Sequence, residues 1–173
     1  MDEQEMVTVL RHKRHDWMNQ IQLIQGYASL GKQDRLMEQL EEVKEEGEQE
    51  RRLLNSGAPH FSLWLLSFNW KQEQFRIRFQ LKEEDIDLSR HDSVIIAYVK
   101  RMLELLDAYK VEDELYEGTL IVYRGYQPST FSLSWEWEGS FLHAEELKQK
   151  LDQEGFISTI FEDRELSIEM TIE

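Results

Sequence analysis

The residue types best suited to chemistry lie together near the N-terminus. Basic side chains precede a carboxylate in the run Arg11-His12-Lys13-Arg14-His15-Asp16. A histidine side chain is partly neutral at about pH 7, so an imidazole nitrogen can act as a nucleophile. Guanidinium and ammonium groups can neutralise the charge of a phosphoryl group. The run therefore predicts that His15 accepts a phosphoryl group inside a basic surface, the basic island, formed by residues 11–15.

Helical spacing decides which side chains share a surface with His15. Arg11 lies one turn before His15 and Asn19 one turn after it, so the three share one helix face. Asp16 follows directly and is expected to hold the tautomer of His15 or take its proton. Arg14 lies about 100° around the helix from His15, in an apolar seam. His15 is thus expected on the flank of a helical bundle, where a partner can reach it.

Other interpretations of the histidines compete with this one. An exposed helical histidine is most simply a solvated side chain. His12 and His15 with Asp16 have a spacing that metal ligands can use, but the three neighbouring cations repel a divalent ion, so no metal site is predicted. The remaining histidines are isolated in sequence and are expected to be structural or solvated: His60, His91 and His143.

The first third of the chain has the pattern of a helical hairpin. Gly31 is suited to end one helix and Asp34 to cap the next. Two helices alone bury little apolar surface and need a partner surface, which predicts a homodimeric four-helix bundle. Its expected core is Leu10, Trp17, Ile21, Ile24, Leu36, Leu40 and Val43, with seam interruptions at Arg14, Gly47 and Glu50.

The remainder of the chain alternates between strand and helix periods. The break Asn55-Ser56-Gly57-Ala58-Pro59 separates a predicted hairpin domain, residues 1–57, from a domain of residues 58–173. In the second domain, helices are predicted near 61–70, 94–109 and 144–153, and strands near 75–81, 120–123, 131–137, 156–161 and 166–172. This order predicts an α+β protein whose C-terminal domain is a two-layer α/β sandwich with helices over one face.

Composition excludes several classes of function. The 173 residues include 20 Lys and Arg against 35 Asp and Glu, a net charge of −15, which disfavours nucleic acid and anionic membranes as partners. There is no cysteine, so disulfides, thiol nucleophiles and Cys-zinc sites are excluded. No apolar run approaches the roughly 18 residues of a membrane span, and the expected location is the cytoplasm.

Recognisable phosphate-binding loops are missing. The eight glycines are scattered, and no G-x-G, Walker-type or D-x-G-x-G motif occurs. No G-x-S-x-G motif or catalytic carboxylate pair is found either. The sequence therefore predicts no nucleotide or metal cofactor belonging to this chain.

Two blocks of residues resemble a known family. The run Leu10-Arg11-His12-Lys13-Arg14-His15-Asp16-Trp17-Met18-Asn19, continuing through Gln22-Leu23-Ile24-Gln25-Gly26, resembles the active helix of the sporulation initiation phosphotransferases of bacilli. A second similar block is Ser67-Phe68-Asn69-Trp70-Lys71. The likeness is strong over residues 10–31 and 61–71, and beyond residue 72 it is one of pattern.

The resemblance implies a role in a phosphorelay. Such proteins dimerise through a helical hairpin, and the histidine that matches His15 relays a phosphoryl group from the aspartate of one response regulator to that of a second. Arg11 and Arg14 would stabilise charge, with Asn19 beside His15. The surface that binds the regulator would comprise Arg11, His12, Lys13, Arg14 and Met18. The C-terminal domain would resemble a histidine-kinase ATPase domain without nucleotide motifs, and Mg²⁺ would be supplied by the regulator.

Two other functions compete with phosphotransfer. One is an ATP-dependent sensor-type histidine kinase with a degenerate nucleotide site, which rapid autophosphorylation from ATP would reveal. The other is a dimeric scaffold without chemistry, whose function would survive the loss of His15.

Overall fold

The computed structural model describes residues 1–161 and 164–173, with Phe161 described by its backbone. These residues form two compact units, Met1–Arg51 and Arg52–Glu173. The helices are α1 (Glu3–Ser29), α2 (Gln33–Leu54), α3 (Pro59–Lys71), α4 (Asp92–Ala108) and α5 (Ala144–Gln153). The strands are β1 (Phe75–Leu81), β2 (Tyr116–Arg124), β3 (Phe131–Glu138), β4 (Ile157–Phe161) and β5 (Glu165–Ile172).

The ends of the hairpin helices are set by local residues. A capping box starts α1, because the Glu5 amide donates to Asp2 Oδ1 at 2.7 Å and the Asp2 amide donates to Glu5 Oε2 at 3.1 Å. Gly31, at φ +65°, makes the turn that ends α1, as predicted. The prediction that Asp34 caps α2 is wrong: α2 begins at Gln33 and Asp34 lies inside its first turn, where a carboxylate still complements the helix dipole.

Polar side chains join α1 to α2. Lys13 Nζ lies 2.5 Å from Glu50 Oε1, and Gln20 Nε2 donates to Glu46 Oε2 at 2.7 Å. The half-buried side chains of α1 are Val9, Lys13, Asp16, Gln20, Ile24 and Tyr27. Their spacing of three and four residues marks the side of α1 that faces α2. Polar contacts at two levels thus connect the two helices.

The second unit contains a mixed five-stranded sheet in the order β1-β2-β3-β5-β4. β1 and β2 are parallel, with Phe75 opposite Tyr116, and the other pairs are antiparallel. Alternate strand residues are buried and exposed, since one face of the sheet carries the core with α3, α4 and α5. The predicted α+β class and the order of helices and strands are confirmed.

The centre of the core is aromatic. Trp135 and Trp137 are fully buried on β3, with nearly parallel rings whose centroids lie 5.9 Å apart. Gly118 lies opposite Trp137, and a Cβ atom at Gly118 would come within 2.5 Å of the indole. The sequence pattern starts this strand at Leu120, whereas β2 starts at Tyr116: Gly118 breaks the apolar alternation because the indole occupies its side-chain space.

Candidate functional site

His15 lies on the solvent side of α1. Its side chain is 72% exposed. His15 Nδ1 lies 3.3 Å from Asn19 Nδ2, one turn along the helix. Asp16 Oδ1 is 3.7 Å from the same nitrogen, beyond hydrogen-bond distance but close enough for electrostatic attraction to a protonated ring. Both polar neighbours thus approach Nδ1.

The amide of Asn19 is chemically suited to either form of Nδ1. With its NH₂ group toward the ring it donates to an unprotonated Nδ1; after half a turn its Oδ1 accepts from Nδ1–H. With a proton on Nδ1, the nitrogen nearest the Asp16 carboxylate, the lone pair of the neutral ring lies on Nε2.

The structure divides the basic island between two sides of α1. Arg11, His12 and Arg14 are exposed, as is Met18 with 40% of its surface in solvent. Lys13 is half-buried and faces Glu50 of α2. Residues two positions apart in a helix point about 200° away from each other, so Lys13 does not share the surface of His15.

Three of the seven residues predicted to form the dimer core are exposed within one chain. The exposed fractions are 62% for Leu10, 61% for Trp17 and 45% for Ile21. Ile24 on α1 is half-buried, as are three residues of α2, Leu36, Leu40 and Val43.

His60 and Asp92 form a second His–Asp pair, which the sequence does not predict. His60 is isolated in sequence, but its Nδ1 lies 2.8 Å from Asp92 Oδ2. The same carboxylate accepts the backbone amides of His60 and Phe61 at 3.1 and 2.8 Å, and so caps α3. No local sequence pattern predicts a contact between residues that lie so far apart in the chain. The pair ties the start of α3 to α4.

Asn19 was expected on the face of His15, but its contact with Nδ1 was not foreseen. The i, i+4 spacing in the sequence is the feature that could have indicated it. Among residues 1–161 and 164–173, no group of three or more His, Asp or Glu side chains is arranged to hold a metal ion. Within the same residues, no helix combines the length and apolarity that crossing a bilayer requires.

Comparison with known proteins gives matches along the whole chain. Residues 1–56 match the family model "Sensor kinase SpoOB-type, alpha-helical domain", and residues 57–173 match "Sporulation initiation phospho-transferase B, C-terminal". Sporulation initiation phosphotransferase B of Bacillus subtilis (strain 168) is 37% identical over 103 residues, which are 60% of this chain and 54% of the relative. The chain thus spans about half the length of the curated relative it matches.

A solved structure is similar at a lower level. It is the histidine kinase ThkA in complex with the response regulator protein TrrA, with 15% identity, a TM-score of 0.41, and coverage of 98% of this chain and 63% of that one. At that TM-score the likeness bears on neither fold nor function. The two family models together leave no part of the chain unmatched, and the second alone spans more than half of it. This protein therefore belongs to the sporulation initiation phosphotransferase B family.

Proposed function

We propose that this chain is a histidine phosphotransferase that relays a phosphoryl group between the aspartates of two response-regulator receiver domains in a sporulation phosphorelay. The observation that supports this most directly is the exposed imidazole of His15, with Asn19 and Asp16 near Nδ1, in a chain of the phosphotransferase B family. The relay is proposed to operate in the cytoplasm.

The transfer is balanced without any further reactant. Nε2 attacks the phosphorus of an aspartyl phosphate, the P–O bond to the aspartate breaks, and a P–Nε2 bond forms. The proton stays on Nδ1, so positive charge develops on the ring, where the Asp16 carboxylate at 3.7 Å stabilises it. Attack by the aspartate of the second receiver reverses these changes. Both phosphoryl carriers are reactive donors, so the transfer is expected to be reversible.

Phosphoryl transfer is accelerated by positioning of the reacting groups and by neutralisation of the charge on the phosphoryl oxygens. Arg11 is exposed one turn from His15 and is placed to approach the phosphoryl oxygens, and Arg14 extends the cationic surface. Mg²⁺ would be held by the acidic pocket of the receiver and not by this chain. That pocket complements the exposed cations, which favours encounter and register.

The proposal includes a homodimer. Leu10, Trp17 and Ile21 form an exposed apolar stripe on one side of the hairpin. A helical pair with such a stripe is stabilised when a second copy covers it, and a two-fold four-helix bundle covers the same stripe on both copies.

The test is a relay of labelled phosphate. A receiver domain carrying ³²P on its aspartate is mixed with this protein and a second, unlabelled receiver. Label is expected on the protein as acid-labile phosphohistidine and then on the second receiver. His15→Gln should reduce transfer to background, whereas His12→Gln, on the same exposed stretch, should retain most of it. Transfer through His15→Gln would overturn the assignment.

The same materials test the competing functions. With ATP and magnesium alone, the phosphotransferase is expected to take up no label, while rapid stoichiometric labelling would indicate a kinase. A His15→Gln variant that still supports the cellular function of the protein would indicate a scaffold.

A further inference from the structure

The hairpin carries a large exposed side chain on α1, Trp17, and lacks a side chain at one position of α2, Gly47. We call these the knob and the notch. Trp17 is 61% exposed on α1. Gly47 lies in the interior of α2, and a Cβ atom added there would meet no other atom within 4 Å. Glycine weakens a helix relative to alanine, so its presence here has no local advantage.

The knob and the notch lie at the same level of the hairpin. Lys13 of α1 contacts Glu50 of α2, and Gln20 contacts Glu46. Trp17 lies between the two contact residues of α1, and Gly47 lies between the two of α2.

They also lie on the same side. Each residue of a helix is rotated by about 100° about the helix axis from the one before it. Measured in this sense of rotation, Trp17 lies ahead of Lys13 and Gln20 on α1, and Gly47 lies ahead of Glu46 and Glu50 on α2. Because the two helices are right-handed and antiparallel, an equal sense of displacement brings both residues to one side of the hairpin. This is the side with the exposed Leu10 and Ile21.

We propose that Trp17 of each copy packs into the notch left by Gly47 on α2 of a second copy, so that the pair sets the alignment of the two hairpins. This inference rests on the homodimer proposed above. A two-fold axis parallel to the hairpins keeps equal levels together, so each Trp17 meets a Gly47 and both contacts form at once. The occupant is a second copy because one chain supplies both complementary shapes.

The absence of cysteine from the sequence allows a clean cross-linking test. Full-length Trp17→Cys and Gly47→Cys variants are mixed and treated with a short bismaleimide. A cross-linked heterodimer is expected to form at least about tenfold faster than either homodimer or than the mixture of Trp17→Cys with Glu45→Cys. Glu45 is a matched control, since it is exposed two residues before Gly47 and points about 200° away from it.

A second measurement separates packing from helix propensity. Gly47→Leu improves helix propensity, yet it should raise the dimer dissociation constant at least about tenfold by filling the notch. Trp17→Ala should weaken the dimer similarly, and the double variant should lose less than the sum of the two. Sedimentation equilibrium with circular dichroism as a check of helicity measures these effects.

The outcomes distinguish the inference from the dimer itself. A monomeric wild-type protein would overturn both. A dimer in which Trp17→Cys links to itself or to Glu45→Cys, or which Gly47→Leu tightens, would overturn the knob-and-notch contact and leave the dimer standing.

Discussion

At the residue scale, the chemistry depends on how one imidazole is held. The His15 side chain is largely exposed, and its Nδ1 is approached by Asn19 and Asp16 from its own helix. The polar neighbours of the ring thus come from α1 itself, and in the proposed relay a receiver domain would supply the rest of the reacting geometry. We regard Asn19 as a positioning residue, since it acts through the ring and not on the phosphoryl group.

Replacing Asn19 tests that role. Asn19→Leu should lower the rate of transfer at saturating receiver about tenfold, the value of one lost hydrogen bond, because the ring is no longer held with Nε2 outward. The receiver concentration at half-maximal rate should change little. Asn19→Asp keeps an acceptor for Nδ1–H and should restore most of the rate. Rapid-quench transfer assays measure both quantities.

An effect of Asn19→Leu confined to receiver affinity would contradict positioning and indicate direct contact with the partner. Circular dichroism of each variant is the control, because Asn19 is exposed and its loss should leave α1 intact.

At the scale of elements, the block Ser67-Phe68-Asn69-Trp70-Lys71 has a structural purpose. Asn69 Nδ2 donates to the Ile77 carbonyl at 3.0 Å, and the Ile77 amide donates to Asn69 Oδ1 at 2.8 Å. The side-chain amide thereby pairs with the edge of β1 as a neighbouring strand would. It joins α3 to the sheet and covers an edge that could otherwise pair with another chain.

Asn69→Ala should lower the free energy of unfolding by about 1–3 kcal/mol, since it leaves a peptide group of a partly buried edge strand without its partner. Asn69→Asp retains the acceptor for the Ile77 amide and should lose less. Urea denaturation followed by tryptophan fluorescence measures the difference, because Trp135 and Trp137 are buried. Equal stability of Asn69→Ala and the wild type would show that the contact contributes nothing.

At the scale of the whole molecule, the free energy of unfolding should depend on pH through the carboxyl group of Asp92. Burial by itself raises the pKa of this carboxyl, but hydrogen bonds from the Phe61 amide and from His60 hold its pKa below the ordinary value. A carboxyl with a lowered pKa in the folded state stabilises the fold above its unfolded pKa of about 3.9, and this contribution is lost as the pH falls through the folded value.

Asp92→Asn should therefore lower the free energy of unfolding by about 1–2 kcal/mol near neutral pH. The difference from the wild type should begin to shrink as the pH falls below the unfolded pKa of about 3.9, and it should be smallest below the lower pKa that Asp92 has in the folded state. Asp85→Asn is the control, since Asp85 is exposed and its contact with Arg124 is made by the backbone carbonyl. A difference that stays constant with pH would contradict the linkage.

Local pattern was enough to predict most of the elements. In the described part of the chain, five helices and five strands lie close to the predicted positions, because the 3.6-residue and two-residue periods are properties of short stretches. The break near Gly57 and the turn at Gly31 followed from glycine's access to positive φ. The wrong predictions are local too. The start of β2 was placed too late because Gly118 interrupts the apolar alternation, and Asp34 lies in the first turn of α2 instead of capping it.

The sequence alone predicts His15 as the nucleophile and the helix face that it shares with Arg11 and Asn19, because single helical turns relate the three residues. Contacts between residues from distant parts of the chain became known from the three-dimensional structure. Lys13 contacts Glu50 on the side of α1 away from His15, and His60 contacts Asp92. Asn69 donates a hydrogen bond to the Ile77 carbonyl at the edge of β1. It also showed that Trp17 stays exposed at the level of Gly47. The physical reason is that contacts within a helix follow from its period, whereas contacts between elements depend on how their apolar faces pack in three dimensions.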